Sequence, residues 1–246
     1  MLLAHSTWLE VEAYLEHSDG IILPVGSTEQ HGPIGLIGTD TICTEEIALR
    51  AGEAADALVA PALGWTPAPF NMSFPGTISI TPDLFADLAG QIVDGLVSHG
   101  FRHVYLLNGH GANLEPLRSL AATRPQMRIR SWWDFDAVNA IRRALYGSWE
   151  GMRATPAEVA ITQATRRTVQ HPLADEPPEP IDAAFIAAHA GDRHGPPVEH
   201  RAAFPDGRVG SHSALATPEA GQRLLAAAVE AVIEDYRRFV AKDGTV

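Results

Sequence analysis

The sequence predicts a three-layer α/β/α fold with a mostly parallel central sheet, and three observations favour this class. Apolar runs of strand length alternate with stretches of helical length as far as about residue 132. Loops that contain glycine follow two of these runs, where an α/β sheet commonly binds its ligands. The chain has 246 residues, of which 46% are hydrophobic and 20% are charged, so it can bury one large core. We therefore expect a single domain over residues 1–246.

Capping residues mark the elements of the first half of the chain. Thr7 followed by Glu10 is a capping-box pattern, and it predicts a helix over about 7–17. Thr81 followed by Pro82 predicts another helix start, because threonine accepts a free amide bond and proline suits the first turn. After the first helix, the predicted elements are a strand, a helix, a strand and the helix that begins near Thr81: 21–25, 40–55, 57–63 and 81–99.

The second half continues this alternation and then becomes mainly helical after Asp134. Residues 170–182 are rich in proline and acid and predict an exposed connection, and 189–215 predict an irregular segment. Thr217 and Pro218 mark the start of a long C-terminal helix with an apolar stripe. The predicted elements here are a strand, a helix, a strand and that final helix: 103–107, 113–123, 127–132 and 217–239.

Composition and charge argue against several classes of protein. Eighteen Lys plus Arg against thirty Asp plus Glu give a net charge of -12, which repels nucleic acids and anionic membranes. The lone cysteine, Cys43, rules out a disulfide framework and fits a reducing compartment. The N-terminus lacks the basic region of a signal peptide, and no apolar run approaches the roughly 18 residues of a membrane span. We predict a cytoplasmic protein that binds neither nucleic acid nor membrane.

Four potential metal ligands lie in two glycine-containing loops that follow predicted strands: Glu29, His31, Asp40 and His110. Glu29 and His31 are two residues apart, so in an extended segment both side chains leave the same face. Asp40 is expected at a helix N-terminus, where an aspartate caps the helix or bridges two metal ions about 3.5–4 Å apart. His110 stands between two glycines, which lets its backbone approach neighbouring chain closely.

These residue types favour a transition metal. Two imidazoles with carboxylates suit zinc, manganese or iron(II); imidazole argues against calcium, and the absence of thiolates argues against a structural zinc finger. Each residue also has an ordinary explanation: Asp40 as a helix cap, Glu29 as a solvated acid, and either histidine as a satisfied loop or core residue. Taken together at the ends of strands, the four favour a dinuclear hydrolytic centre.

The segments LPVGSTEQHGP, GTD and LLNGHGAN resemble the creatininase family of metal-dependent amidohydrolases. The resemblance continues through the region of Thr155 to the segment GSHSALATPEAGQRLL near the C-terminus. It implies a site with two divalent ions in which Asp40 is the bridging ligand. It also implies a three-layer α/β/α fold, a homohexamer and a small-molecule substrate. The implied ligands are the residues already selected by their chemistry: Glu29, His31, Asp40 and His110.

Position 112 departs from the family pattern. Creatininase itself has a glutamate two residues after its Gly-His position, where this chain has Ala112. The resemblance instead makes Glu158, in the segment RATPAE, the candidate for the remaining ligand and for proton transfer. Thr155 and Glu158 also form a capping-box pattern with proline at the first helical turn, so the roles of ligand and cap both stay open.

Arg153 is the second departure. It takes the place of the histidine that serves acid–base chemistry in creatininase, and a guanidinium with a pKa above about 12 does not shuttle protons near neutral pH. Arg153 can instead hold a carboxylate or stabilise an oxyanion. We therefore expect Arg153 to bind substrate and assist catalysis. A carboxylate such as Glu29 or Glu158 would then donate the proton, or the substrate would be anionic, which makes creatinine a less favoured substrate.

Other residues are candidates for support or substrate binding. The segment NMSFPGT, which contains Asn71, Ser73, Phe74 and Thr77, resembles a family segment near the active site, and we expect Ser73 and Thr77 to bind substrate. We expect Asn108 to orient the His110 loop and to take part in catalysis. Trp132 and Trp133 could wall a small planar substrate or pack in the core and at an interface. We expect Cys43 to be a buried apolar residue, and four histidines of the C-terminal half to be solvated: His189, His194, His200 and His212.

The sequence therefore predicts a hydrolase that cleaves the C–N bond of a small amide, cyclic amide or formamide with two divalent metal ions. Some members of the resembled family cleave a short peptide or open a keto-inositol ring. A peptidase, or a C–C hydrolase that acts on a cyclic ketone, thus stays open. Ala112 and Arg153 together leave a third alternative, a metal-stabilised oligomer without catalytic activity.

Overall fold

The apolar runs predicted as strands form one parallel sheet in the computed structural model, which describes residues 1–241. Residues 242–246 of the predicted domain lie outside the described part. The sheet has the order β2-β1-β3-β4, and every neighbouring pair of strands is parallel. The predicted α/β fold with a parallel sheet is confirmed. The strands have the following bounds: β1 Gly20–Val25, β2 Leu58–Val59, β3 His103–Asn108 and β4 Met127–Ser131.

Helices cover both faces of this sheet. Alternating side chains of a strand point to opposite faces, so Ile22 and Tyr105 belong to one hydrophobic cluster while Ile21 and Leu106 belong to another. The first cluster includes residues of α2, α5, α6 and α9, and the second includes residues of α1, α3 and α4. The helices of the described residues have the following bounds: α1 Trp8–Leu15, α2 Thr39–Ala55, α3 Pro82–Ser98, α4 Leu114–Ala121, α5 Asp136–Tyr146, α6 Pro156–Thr165, α7 Ala183–Ala188, α8 Pro197–Ala203 and α9 Pro218–Ala241.

The predicted helices α1 and α3 begin at the expected capping residues, Thr7 and Thr81. The Thr7 hydroxyl accepts a hydrogen bond from the Glu10 amide, and the Glu10 carboxylate accepts one from the Thr7 amide, so the capping box is complete. At α3 the Thr81 hydroxyl accepts from the Leu84 amide, with proline in the first turn. Within residues 1–241 no helix combines the length and the apolarity that a bilayer span requires.

Two predictions of local structure are wrong. The strand expected over 57–63 is only Leu58–Val59, because the next ladder hydrogen bond to it would come from residue 24 of β1, and Pro24 has no amide proton. The segment 189–215, predicted as irregular, contains α8, which begins at Pro197 and buries His200. Proline suits the first position of a helix, and this signal was missed because histidines and glycines surround it.

The connection over 170–182 is exposed over most of its length, as predicted, and it packs against the fold at one point. It contains a short 3₁₀ turn, Pro172–Ala174, and the side chain of Ala174 is buried. The guanidinium of Arg208 donates hydrogen bonds to the carbonyl oxygens of Leu173, Ala174 and Glu176. One buried arginine therefore supplies the partners that this proline-rich backbone lacks.

Candidate metal centre

Strand register brings the two predicted ligand loops together. In the β1–β3 pair, Val25 lies opposite Asn108, so the loops that follow both strands leave the sheet side by side. The approach is close at Gly109, where a Cβ would lie 2.6 Å from the carbonyl oxygen of Asp40 and 2.6 Å from a methyl group of Thr44. Glycine at 109 therefore lets the start of α2 pack directly against the second loop.

The four predicted ligand residues lie together and are almost fully buried, with at most 2% of any of them exposed. His31 Nε2 is 2.9 Å from Asp40 Oδ1, and His110 Nδ1 is 3.1 Å from Asp40 Oδ2. His110 Nδ1 is also 3.3 Å from Glu29 Oε1. Ligand atoms of Glu29, His31 and Asp40 all lie within 4.8 Å of one another. Each oxygen of Asp40 thus faces a different imidazole, as a carboxylate that bridges two ions would.

Main-chain carbonyl groups fix which nitrogen of each imidazole carries hydrogen. His31 Nδ1 lies 3.2 Å from the carbonyl oxygen of Glu29, and His110 Nε2 lies 2.8 Å from that of Pro67. Because a carbonyl oxygen only accepts, these nitrogens donate, and in a neutral ring the other nitrogen presents its lone pair to Asp40. Lone pairs would then face carboxylate oxygens. The arrangement is stable only if a proton or a metal cation lies between them.

The pKa shifts of the clustered residues also indicate that positive charge stabilises this site. Burial lowers the pKa of both histidines, but the Asp40 carboxylate outweighs it, raising the pKa of His31 and bringing that of His110 to about 9. Burial also raises the pKa of Asp40, whereas His31 and His110 lower it to about 2. Asp40 Oδ2 is buried without a well-formed hydrogen bond. The donor set therefore fits a divalent transition metal.

Glu158 lines the same cavity and also caps α6. Its Oε2 accepts hydrogen bonds from the amide of Thr155 at 3.1 Å and from the Thr155 hydroxyl at 2.8 Å. Burial raises the pKa of Glu158, and His31 opposes this shift. The predicted cap is confirmed. Because Glu158 lines the cavity and uses its Oε2 to cap the helix, Oε1 is the atom that could bind a metal ion or a proton.

Arg153 reaches the cluster through an ion pair with Glu29. Its Nη2 donates to Glu29 Oε1, and its Nη1 lies 2.7 Å from Asp192 Oδ1. The guanidinium carbon stands 4.5 Å from the centre of the Phe70 ring, and only 4% of the residue is exposed. Its Nε is buried without a hydrogen-bond partner within residues 1–241. Arg153 therefore holds two carboxylates through its terminal nitrogens, and its Nε–H stays unpaired within the described residues.

Asp192 is a site residue that the sequence analysis missed. Besides its ion pair with Arg153, its Oδ2 accepts a hydrogen bond from the amide of Ala112 at 3.1 Å and lies 3.6 Å from His110 Nδ1. Burial raises the pKa of Asp192, but Arg153 and His110 keep it below its ordinary value. The signal in the sequence was an acid next to glycine between two histidines, within a segment predicted as irregular.

The residues expected to support the site are only partly where they were placed. Asn71 Nδ2 donates to Glu29 Oε2 at 2.9 Å, which orients that carboxylate. Thr77 accepts a hydrogen bond from the Gln30 amide, and the carbonyl group of Ser73 accepts one from an arginine of α8. Neither Ser73 nor Thr77 lines the cavity at the cluster, contrary to their prediction as substrate contacts.

Asn108 lies at the end of β3, and its side chain hydrogen-bonds the second loop and the end of β4. Its Nδ2 donates to the carbonyl oxygen of His110 and to the Ser131 hydroxyl, and its Oδ1 accepts from the His110 amide and from Asn113 Nδ2. Its side chain is fully buried and does not line the cavity. The structure therefore places Asn108 as a support of the His110 loop, away from the catalytic position also expected for it.

The two adjacent tryptophans lie in different environments. Trp133 lines the cavity at the cluster, whereas Trp132 is 1% exposed and packs in the core beside α9. Their rings meet edge to face, with centres 5.8 Å apart. The expected substrate contact thus remains a proposal for Trp133, while the core alternative holds for Trp132. Cys43 is buried as expected, and burial raises its pKa.

The prediction of solvated histidines is wrong for His200, which is 4% exposed, and for His194, whose side chain is 2% exposed. Its ring lies 5.1 Å from the Phe70 ring and 4.8 Å from the His194 ring, centre to centre. His189 in turn stacks on Phe185 with a centre distance of 3.8 Å. These rings form an aromatic stack that supports the segment carrying Asp192, and the imidazoles are partly buried by one another.

Two cavities adjoin at the centre. The first, of about 180 Å³, is lined by the four predicted ligand residues together with Glu158, Trp133, Arg153 and others. The second, of about 850 Å³, lies between α3 and α4 and shares Gly191 and Asp192 with the first. The larger space is beside the clustered ligands and does not contain them, so any chemistry belongs to the smaller one.

Fold and site together define an α/β protein with a buried carboxylate–imidazole centre at the carboxyl edge of a parallel sheet. A family model described as creatinine amidohydrolase matches residues 4–236, and the chain belongs to the creatininase family.

Three relatives are named as hydrolases or as a peptidase, and their names give different substrates. Creatinine amidohydrolase of Pseudomonas putida is 29% identical over 74% of this chain and 82% of its own length. The 3-dehydro-scyllo-inosose hydrolase of Thermotoga maritima is 36% identical over 43% of this chain and 34% of its own. A mycofactocin precursor peptide peptidase of Mycolicibacterium smegmatis is 34% identical over 46% and 48%. The matches to the last two span half of those proteins or less.

Solved creatininase structures share the fold. A manganese form has a TM-score of 0.72 at 25% identity and covers 97% of this chain and 98% of that one. A zinc–zinc form of a creatininase variant has a TM-score of 0.71 at 25% identity, with the same coverage. These proteins are thus known with two of the metals that the ligand types favour.

Proposed function

We propose that this protein is a metal-dependent hydrolase that cleaves the C–N bond of a small amide, cyclic amide or formamide. The observation that carries the proposal is the pair of imidazole nitrogens facing the two oxygens of Asp40, at 2.9 and 3.1 Å. Either one proton at each contact or two divalent ions bridged by Asp40 would satisfy both contacts, and the likeness to manganese and zinc–zinc creatininases favours the ions. We further propose a cytoplasmic homohexamer, which rests on the lone cysteine, the negative charge and the family.

The residues divide into two groups around the bridging carboxylate. His31 and Glu158 would hold an ion on the Oδ1 side of Asp40, and His110 and Glu29 would hold one on the Oδ2 side. Zinc, manganese or iron(II) bound there would polarise a substrate carbonyl group and lower the pKa of a water molecule towards neutrality. The carbonyl groups that bind the outer nitrogens of both histidines hold the rings in the orientation that this binding needs.

Arg153 and Glu158 supply the remaining steps. The free Nε of Arg153 can donate a hydrogen bond to a substrate oxygen or anion, while its two terminal nitrogens stay bound to Glu29 and Asp192. Glu158 would move the proton to the leaving nitrogen, because burial raises its pKa towards the range where a carboxyl group both gains and loses protons. Trp133 would form the apolar wall. The cavity of about 180 Å³ is smaller than the roughly 300–1,000 Å³ of pockets for drug-sized ligands, which favours a small substrate.

The experiment that tests this function combines metal analysis with a substrate panel. We expect purified protein to contain zinc, manganese or iron and to hydrolyse at least one of a set of cyclic amides, formamides and simple amides. His31→Ala should abolish that activity, and His99→Ala, at the exposed C-cap position that follows α3, should retain it. Protein without a bound transition metal, together with full activity of His31→Ala, would refute the proposal.

A longer substrate is the second candidate, and the adjoining cavity is the observation that favours it. Its volume of about 850 Å³ would hold residues of a peptide whose scissile bond lies at the cluster. Short peptides and a cyclic ketone therefore belong in the panel, since they test peptidase and C–C hydrolase activity at the same centre. The non-catalytic alternative predicts metal binding without turnover of any class.

A further inference from the structure

Three carboxylates surround one imidazole nitrogen at the centre. His110 Nδ1 lies 3.1 Å from Asp40 Oδ2, 3.3 Å from Glu29 Oε1 and 3.6 Å from Asp192 Oδ2. The outer nitrogen of the same ring is held by the carbonyl group of Pro67, so His110 Nδ1 offers at most one hydrogen. Glu29 Oε1 and Asp192 Oδ2 also accept hydrogen bonds from Arg153 and from the Ala112 amide, whereas Asp40 Oδ2 has no well-formed hydrogen bond within the described residues. One ring hydrogen cannot contact all three oxygens. A cation placed among the four atoms would.

The spacing of these atoms suits such a cation. Four ligands about 2.1 Å from a tetrahedral ion stand roughly 3.4 Å from one another. The three distances from His110 Nδ1 lie within about 0.3 Å of that value. Asp192 meets the same geometric condition as Glu29 and Asp40, although it comes from a segment far along the chain.

The backbone around Asp192 is built to hold its carboxylate at this place. Asp192 has a φ of +57°, in the left-handed region that residues other than glycine seldom adopt, and Gly191 before it has a φ of +75°. Its two oxygens are held separately, Oδ1 by Arg153 and Oδ2 by the amide of Ala112. Glycine at position 111 provides the space for this carboxylate, because a Cβ there would collide with Asp192.

We propose that Asp192 is a direct ligand of the ion on the His110 side of the centre. This inference rests on the proposed function only in that the centre binds divalent metal. The competing explanation is that Asp192 merely positions Arg153 through their ion pair. The two differ in what happens to the metal when either partner is replaced.

The experiment measures metal binding by the whole protein without reference to activity. Wild type, Asp192→Asn, Arg153→Met and the exposed control Glu199→Gln are stripped with chelator, reloaded with manganese, and analysed for manganese per subunit. Electron paramagnetic resonance then distinguishes a coupled pair of ions from a single ion. We expect two ions and a coupled signal for wild type, Arg153→Met and Glu199→Gln. Asp192→Asn should bind one of its ions at least about tenfold more weakly and lose the coupled signal.

Each other outcome has a defined meaning. Unchanged manganese content and an unchanged coupled signal in Asp192→Asn would overturn the inference, and a change in KM shared with Arg153→Met would then identify a positioning role. Wild type without bound manganese, zinc or iron would instead refute the proposed function. If Asp192→Asn does not fold, anomalous diffraction from the manganese-loaded wild type decides. A separation of about 2.0–2.3 Å between the ion and Asp192 Oδ2 supports ligation, whereas one above about 3.5 Å excludes it.

Discussion

Hydrogen bonds to the main chain decide what each side chain of the centre can do. In both His31 and His110, one ring nitrogen hydrogen-bonds a carbonyl oxygen, and the other nitrogen faces Asp40. Asp40 itself lies in the first turn of α2, but Gly38 occupies the N-cap position and no side chain caps the helix. The alternative of Asp40 as a helix cap is therefore wrong. Its carboxylate is turned inward to the two imidazoles.

Asn71 should control metal affinity without touching the metal. Its amide nitrogen donates to Glu29 Oε2 at 2.9 Å, and its oxygen accepts from Gln30 Nε2 at 3.0 Å, so it links Glu29 to the chain beside it. Asn71→Ala removes this link and lets the Glu29 carboxylate rotate. We expect metal affinity to fall by about 10–100-fold, measured by competition with a coloured chelator. An unchanged affinity would mean that Arg153 alone orients Glu29.

At the scale of elements, the centre depends on how closely α2 approaches the loop after β3. Gly109 forms this contact, and Gly109→Ala would place a methyl group 2.6 Å from the carbonyl oxygen of Asp40. Overpacking of this kind costs about 1–3 kcal/mol of unfolding free energy. We expect that loss in urea unfolding, together with weaker metal binding, because the start of α2 carries Asp40.

The matched control for this substitution is Gly95→Ala, in α3. A Cβ at Gly95 would meet no atom within 4 Å. Alanine inside a helix is favoured over glycine by about 0.5–1 kcal/mol, so this variant should be equally stable or more stable. Equal destabilisation by both variants would show that close packing at position 109 is not the cause.

The aromatic stack around α8 should make stability depend on pH. Burial and the nearby Arg153 together lower the pKa of His200 from its ordinary 6.5 to about 4, and Asp192 opposes part of this shift. Between pH 6.5 and 4 the unfolded chain therefore binds a proton at this residue that the folded chain does not bind. The contribution of His200 to the free energy of unfolding should therefore be greatest above pH 6.5 and fall as the pH decreases towards 4.

Denaturant titrations across this range measure the effect, with His200→Asn as the comparison. Asparagine does not titrate, so the variant should have a shallower dependence of unfolding free energy on pH, even if it is less stable throughout. The same slope in both proteins would show that another group, such as the neighbouring His194, causes it.

For the whole molecule, the sequence predicted what depends on local patterns. Capping residues located α1 and α3, and apolar runs located β1 and β3, whose shared edge explains why Glu29 and His110 meet. Asp192 could not be predicted in this way. It reaches the centre through a left-handed backbone turn and a stack of aromatic rings, and both depend on contacts with distant residues such as Phe70. Trp132 and Trp133 likewise differ only in the direction each faces, which tertiary packing decides.

Removal of metal should destabilise the entire protein, because the buried carboxylates lose their counter-ion. A ligand that binds only the folded state stabilises it by about 4 kcal/mol when present at 1,000 times its Kd. We expect the melting temperature to fall on chelation and to recover when manganese or zinc is returned. Sedimentation of the same samples tests the expected hexamer. If chelation abolishes turnover while the hexamer persists, the centre is catalytic. If the protein has no turnover before chelation and the hexamer dissociates on chelation, the metals are structural and the proposed hydrolase is refuted.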